Sequence, residues 1–333
     1  MDKTSGIVFN EAILSKLFTQ ELATDSQLSI SLETTTASHN LLSMFSCCSL
    51  NFLILSFFLI FFSQQHSFLN ITDIHSSLAI LFLIIMSFGV SHGAADSIII
   101  WKTFPKVKTK AIAFLIYLSI VLLGLILWFQ SPILGLVLLL LMSMFHFGHS
   151  DLSHLARAPQ SIKISWGIVM TLLPVIFFEK DVKSIFDALT NSDINLQVFV
   201  MLKFITTAFI VSFLILLYLD KVITKKDKLF LAFEFLVTII LASLLQPVYW
   251  FTFYFCFLHG LRALINIGIK SLRDLMFLVA FTLPVTFFSY FLLFEHLQIN
   301  YLTIIFSVLM ALTISHMLLP LMNRLLLSRL YKR

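Results

Sequence analysis

Residues 111–129 read AIAFLIYLSIVLLGLILWF, an apolar run with no charged side chain, and the tight turn Gln130-Ser131 joins it to a second run beginning at Pro132. At a helical rise of about 1.5 Å per residue the first run is on the order of 28 Å long, which matches a hydrocarbon core of roughly 30 Å. Lys102, Lys106, Lys108 and Lys110 stand at its amino-terminal end, where a membrane helix places its cytoplasmic anchor. The reading is a transmembrane helix that starts inside, turns outside at Gln130 and returns.

The same pattern extends over most of the chain. Of 333 residues 59% are hydrophobic and 12% charged, with a mean hydropathy of +1.00, values that exclude a water-soluble domain of this length. Ten spans are expected: Ser49 to Phe62, Ser76 to Ile100, Ala111 to Phe129, Pro132 to Phe147, Ile164 to Phe178, Val198 to Leu219, Phe230 to Leu245, Val248 to Ile269, Leu275 to Phe294 and Tyr301 to Leu321. Open strands would leave backbone groups unpaired in lipid, and the segments lack the alternation of a barrel. The expected fold is therefore all-α, a polytopic transmembrane helix bundle of about ten spans with no soluble domain of size.

Basic residues set the orientation. Lysines and arginines follow the second, fourth, sixth, eighth and tenth spans, whereas the intervening loops are neutral, acidic or tight turns. Both termini are thus expected in the cytoplasm, in a multi-pass protein of the cell (inner) membrane. The net charge of +5 reports this topology and gives no reason to expect nucleic acid. Residues 1–48 read as a partly disordered cytoplasmic extension, 49–75 as an extra span with its external loop, 76–322 as the membrane-embedded helical domain and 323–333 as a basic cytoplasmic tail. Cys47, Cys48 and Cys256 have no zinc spacing, and no internal repeat is visible.

Polar groups inside the spans carry the chemistry, since such groups are costly in lipid. Ser91-His92-Gly93-Ala94-Ala95-Asp96 puts His92 and Asp96 one helical turn apart, with small residues between them that admit a neighbouring helix. The fourth span ends in Phe145-His146-Phe147-Gly148-His149-Ser150-Asp151-Leu152-Ser153-His154, where His146 lies on the apolar side and His149 and His154 are expected past the helix, near headgroups. Phe257-Leu258-His259-Gly260-Leu261-Arg262-Ala263 adds a histidine and an intramembrane arginine, for which Asp96 or Asp151 is the expected anionic partner. Ser315-His316 occupies the tenth span.

Depth connects these residues. His92 precedes Lys102 by ten residues, His146 precedes Arg157 by eleven, His259 precedes Lys270 by eleven and His316 precedes Arg324 by eight. Four histidines at one depth on helices of one direction suggest a buried metal site, suited to ferrous iron, copper or zinc. Asp96 and Asp151 would hydrogen-bond the imidazoles, fix their tautomers and offset the charge of the metal. Spacing alone does not name a reaction.

His92-Gly93-Ala94-Ala95-Asp96, His146-Phe147-Gly148 with Ser150-Asp151, and His259-Gly260-Leu261-Arg262, in that order, resemble the Brp/Blh family of membrane-bound beta-carotene 15,15'-dioxygenases. The resemblance covers about Ser76 to Leu321. It implies oxidative cleavage of the central double bond of beta-carotene by oxygen to two retinal molecules, at an iron, Fe(2+), held by His92, His146 and His259. It also implies a lipid-dissolved substrate and delivery of retinal to a rhodopsin-type protein. The family's fourth histidine falls four residues after the third, where this chain has Ala263. That leaves a three-histidine site with water in the vacant position, a replacement ligand such as His316, or a lost or altered activity. The competing readings are a di-iron lipid desaturase or hydroxylase, for which too few deep histidines remain, and a transporter or a haem- or metal-handling protein that uses His92, Asp96 and Arg262 as an ion path.

Overall fold

The computed structural model describes residues 50–52, 54–55, 81–89, 91–155, 157–267, 272–294 and 301–331, and among them every regular element is helical. The first expected span falls mostly outside the described residues, as do the amino-terminal extension, Cys47 and Cys48. The helices are α1 (Ser91–Thr103), α2 (Val107–Gln130), α3 (Pro132–Asp151), α4 (Gln160–Leu172), α5 (Pro174–Phe177), α6 (Glu179–Thr190), α7 (Leu196–Leu219), α8 (Lys225–Leu244), α9 (Pro247–Phe253), α10 (Gly260–Ile267), α11 (Leu272–Phe294) and α12 (Tyr301–Tyr331). A π-helical turn, Ile85–Gly89, precedes α1, and another, Tyr254–His259, joins α9 to α10.

Five helical segments of the described residues are long and apolar enough to cross a membrane: Val107–Gln130, Pro132–Asp151, Leu196–Leu219, Pro247–Ile267 and Leu302–Ser328. Their burial separates centre from periphery. In α7 only 17% of the apolar window is buried, whereas in the segment of α9, the π turn and α10 the share is 61%, which makes this the central helix of the five. On α2, Leu115, Leu118, Leu122, Ile126 and Phe129 recur at helical spacing and are exposed. Such a stripe is a liability in water and the expected lipid face in a bilayer.

Local chemistry explains the boundaries. Pro132, Pro174 and Pro247 each open a helix, at positions where a missing N–H costs nothing. The expected fifth span is broken at Leu173, between α4 and α5. Asn191 ends α6 in the left-handed conformation (φ 49°) that asparagine tolerates better than most residues. The Asn195 side chain then accepts the Gln197 N–H to cap α7, and Thr224 caps α8 by accepting the Asp227 N–H. One boundary differs from expectation in a way that matters: α3 runs on to Asp151, so His149 lies inside the helix and not beyond it.

Helices α3 and α4 cross in near-backbone contact. A Cβ on Gly148 would lie 1.9 Å from the Lys163 carbonyl oxygen, and one on Gly167 would lie 1.7 Å from that of Met144. Neither neighbour is a side chain that can swing away. Gly167→Ala is therefore expected to force the helices apart and to lower folded yield and melting temperature, by about 1–3 kcal/mol on the scale of overpacked cores. Fluorescence-detected size exclusion and thermal melts in detergent measure the effect; a parental melting temperature would show that the crossing relaxes freely.

Candidate functional site

The crossing of α3 and α4 fixes the height at which His146 projects. Its half-buried ring stands edge-to-face against two others, with centroids 5.0 Å from His259 and 4.9 Å from His316. Three helices far apart in sequence thus bring three of the four expected histidines into adjacent positions. The backbone of His92 lies in the first turn of α1, while its side chain is outside the described residues. The next residue, Gly93, lines a small cleft together with His146, Leu312 and His316.

Each flanking imidazole is held by a carboxylate. His259 Nδ1 donates to Asp151 Oδ1 at 2.8 Å, and His316 Nδ1 donates to Asp96 Oδ1 at 2.7 Å. Both aspartates are fully buried. Their second oxygens accept from phenols: Asp96 Oδ2 from Tyr117 at 2.9 Å, and Asp151 Oδ2 from Tyr254 at 2.5 Å and from the Trp166 indole at 3.0 Å. Because an ionised carboxylate only accepts, it places the imidazole proton on Nδ1 and leaves Nε2 with its lone pair. This is the arrangement by which proteins prepare a histidine to ligate a cation.

Fit to a metal rests on that donor chemistry. Imidazoles sharing one ion at metal–nitrogen distances of about 2.1 Å have ring centroids on the order of 5 Å apart, the separation His146 keeps from each neighbour. A divalent cation on the Nε2 side would also offset the two buried carboxylates, whose phenol and indole donors leave the charge in place. Among the described residues no group of three His, Cys, Asp or Glu side chains is already gathered to hold an ion. The residues present fit such a group in donor type and tautomer, and His92 stands on the one helix of the layer whose histidine side chain is not described.

Arg262 departs from expectation. Its direct ion pair is with Glu234 of α8, to which Nη2 donates at 2.6 Å from Oε1 and 2.9 Å from Oε2 with both side chains buried, while Asp151, one of the two expected partners, interacts with it through charge. The π-helical turn ending at His259 explains the difference, since an added residue per turn rotates α10 relative to a uniform helix and separates the directions of His259 and Arg262. Ala263 is buried one residue beyond. His149 is bonded on both nitrogens, to the Phe145 carbonyl and to Gln160 Oε1. Burial holds His154, in the loop after α3, far below the ordinary histidine range, at about 3. His154 is therefore partly buried and not the headgroup-facing histidine expected from its position.

A larger, partly open apolar chamber shares His146, Phe255, Leu309 and Thr313 with the small cleft. Tyr117, Tyr254 and Glu234 were missed as site residues. Glu234 had a signal, being an isolated acid inside an apolar span, whereas the tyrosines had none that separates them from ordinary core aromatics.

Residues 83–323 match the family model described as beta-carotene 15,15'-dioxygenase. The chain belongs to this family. The beta-carotene 15,15'-dioxygenase of the uncultured marine bacterium 66A03 is 29% identical over 187 residues, covering 54% of this chain and 65% of that relative. No solved structure matches the chain. All the motifs that suggested the family, from His92 to Arg262, lie inside the matched region, as does His316.

Proposed function

We propose that this family member cleaves beta-carotene at its central double bond, inside the membrane, with molecular oxygen and a ferrous ion held by His92, His146 and His259, with His316 in the place left by Ala263. The observation that carries the reading is the pair of buried carboxylate–imidazole couples, Asp151–His259 and Asp96–His316, flanking His146 where the apolar chamber begins. Bound iron would supply oxygen activation beside the alkene. Asp96 and Asp151 hold the imidazole protons on Nδ1, Tyr117 and Tyr254 hold the carboxylates, and the phenylalanines of the chamber exclude water. In the dioxygenase stoichiometry one C=C bond is replaced by two C=O bonds, both oxygens coming from one O₂, so no external reductant is required.

Expression in cells that accumulate beta-carotene, with iron supplied, is expected to bleach them and to accumulate retinal, read by pigment chromatography. Unbleached cells containing well-folded protein would overturn the assignment. Stoichiometric iron after gentle purification also separates this reading from a transporter.

The proposed frame is ten spans in the cell membrane with both termini inside. It rests on the alternation of basic loops, with Lys102 to Lys110 at one end of the bundle and the acid-rich segment from Glu179 to Asp193 at the other. Single cysteines at Lys106 and Asp187 should then label from opposite sides of intact spheroplasts, and labelling from the same side would refute this topology.

A further inference from the structure

The chamber leads away from the histidine layer along three helices at once. Its lining runs from His146 back to Leu139 on α3, from Thr313 back to Phe306 on α12 and from Phe255 back to Pro247 through α9, each on the order of 10 Å of helix. At the far end it meets α6, which contributes Val182, Ile185 and Phe186.

Helix α6 is amphipathic and fixed. Its apolar face packs inward, Val182 against Val175 and Phe199, and Leu189 with Trp128 and Met310. On the opposite side Lys183 Nζ donates to Asp187 and Asp193, each at 2.5 Å, Asp187 Oδ1 accepts the Ile194 N–H, and Glu179 pairs with Lys203 of α7. The Lys183 hydrogen bond holds the Asp187 carboxyl below the usual carboxylate range. These ties pin both ends of a short helix across the end of the chamber.

Beyond His146 and the Ser143 hydroxyl, the described walls offer little polar surface by which a hydrocarbon could be placed. The Thr171 and Thr313 hydroxyls donate to carbonyls of their own helices, Gly167 at 2.8 Å and Leu309 at 2.7 Å, and the remaining lining is almost wholly apolar. A polyene repeats along its length and carries no group for hydrogen bonding. Its register against the histidines is therefore set by shape, and how far one end advances before it meets a wall is one such constraint.

We infer that Val182, Ile185 and Phe186 of α6 form the end-stop that decides which double bond of the substrate is cut. This rests on the carotenoid-cleaving reading above. One ring of the substrate lodges against α6, and the bond that comes to lie at His146 is fixed by the depth between them. The cleavage chemistry is unchanged by that depth; only the lengths of the two aldehydes depend on it.

The test is a product profile from purified, iron-loaded protein supplied with beta-carotene in detergent. Phe186→Ala and Ile185→Ala deepen the chamber and should raise the share of unequal aldehyde pairs, one longer and one shorter than retinal, on the order of 10-fold, the size of effect expected from small volume changes in an apolar pocket. Val182→Trp shortens the chamber and should weaken beta-carotene binding by a similar factor, measured by absorption under nitrogen so that no turnover is needed, with iron content unchanged. Ser184→Ala, on the exposed face of the same helix, should match the parent in both measurements. Variants with parental iron that yield only retinal at the parental rate, and a Val182→Trp protein that binds carotene normally, would overturn the end-stop while leaving the function standing. A parent protein that forms no aldehyde overturns both.

Discussion

His146→Ala is expected to abolish retinal formation and to strip the protein of iron while leaving it folded. The ring is half-buried, packs edge-to-face between two other imidazoles and lines both the cleft and the chamber, so alanine leaves space without stranding a charge. His259→Ala should have the same effect on iron with a larger cost in stability, because it leaves Asp151 buried without its imidazole partner. His316→Ala tests the substitute ligand. It should lower iron occupancy about 10- to 100-fold, the range seen when a group that binds or orients a metal is lost, and Ala263→His in that background should restore part of it. Asp96→Asn should fall in the same range, since it loosens the tautomer and orientation of His316. Iron content by elemental analysis and retinal by chromatography are the readouts. Undiminished iron and retinal in His316→Ala would return the site to three histidines and a water, and undiminished values in His146→Ala and His259→Ala together would remove the metal layer altogether.

The approach of three of the histidines was legible because helical rise is uniform: counting residues from each histidine to the basic stretch that follows its span puts four of them at one depth without knowledge of how the helices pack. His146, His259 and His316 do meet. What counting cannot supply is rotation about each helix axis. The turn Tyr254–His259 is π-helical, and nothing in Tyr-Phe-Cys-Phe-Leu-His announces the extra residue, so Arg262 was directed towards the aspartates when it turns to α8. Gly148 sits inside a motif that reads as chemistry, yet its lack of a side chain serves the crossing with α4, a requirement imposed by residues 163 and 167 on another helix. The span count is the other partial reading. Five described segments meet the criteria of length and apolarity, while the expected fifth span breaks at Leu173 and the seventh, within α8, carries Glu234 together with a charged first turn. Hydropathy sees composition, and a helix bearing a buried ion pair is apolar in its environment without being apolar in its sequence.

The ion pair itself gives the second large expectation. Arg262→Met should destabilise the protein by about 3–5 kcal/mol, because it removes the guanidinium that holds the buried Glu234 carboxylate, and removing one partner of a buried pair costs far more than removing both. The Arg262 side chain has no exposed surface and that of Glu234 is 1% exposed, so water cannot take over the missing partner. The double variant Arg262→Met/Glu234→Met replaces both charges with flexible apolar side chains and should recover most of the lost stability. Function should follow packing. The pair ties α10 to α8 three residues beyond His259, so the single variant loosens the helix that aims this imidazole at Asp151, whereas the double variant keeps the helix seated and should regain iron binding. Thermal unfolding in detergent and iron content of the folded fraction distinguish the cases. If Arg262→Met melts with the parent, or if the double variant is no more stable than the single, the pair is not the clamp between α8 and α10; if the double variant regains stability but not iron, Arg262 acts on the histidine layer through its charge and not through the position of the helix.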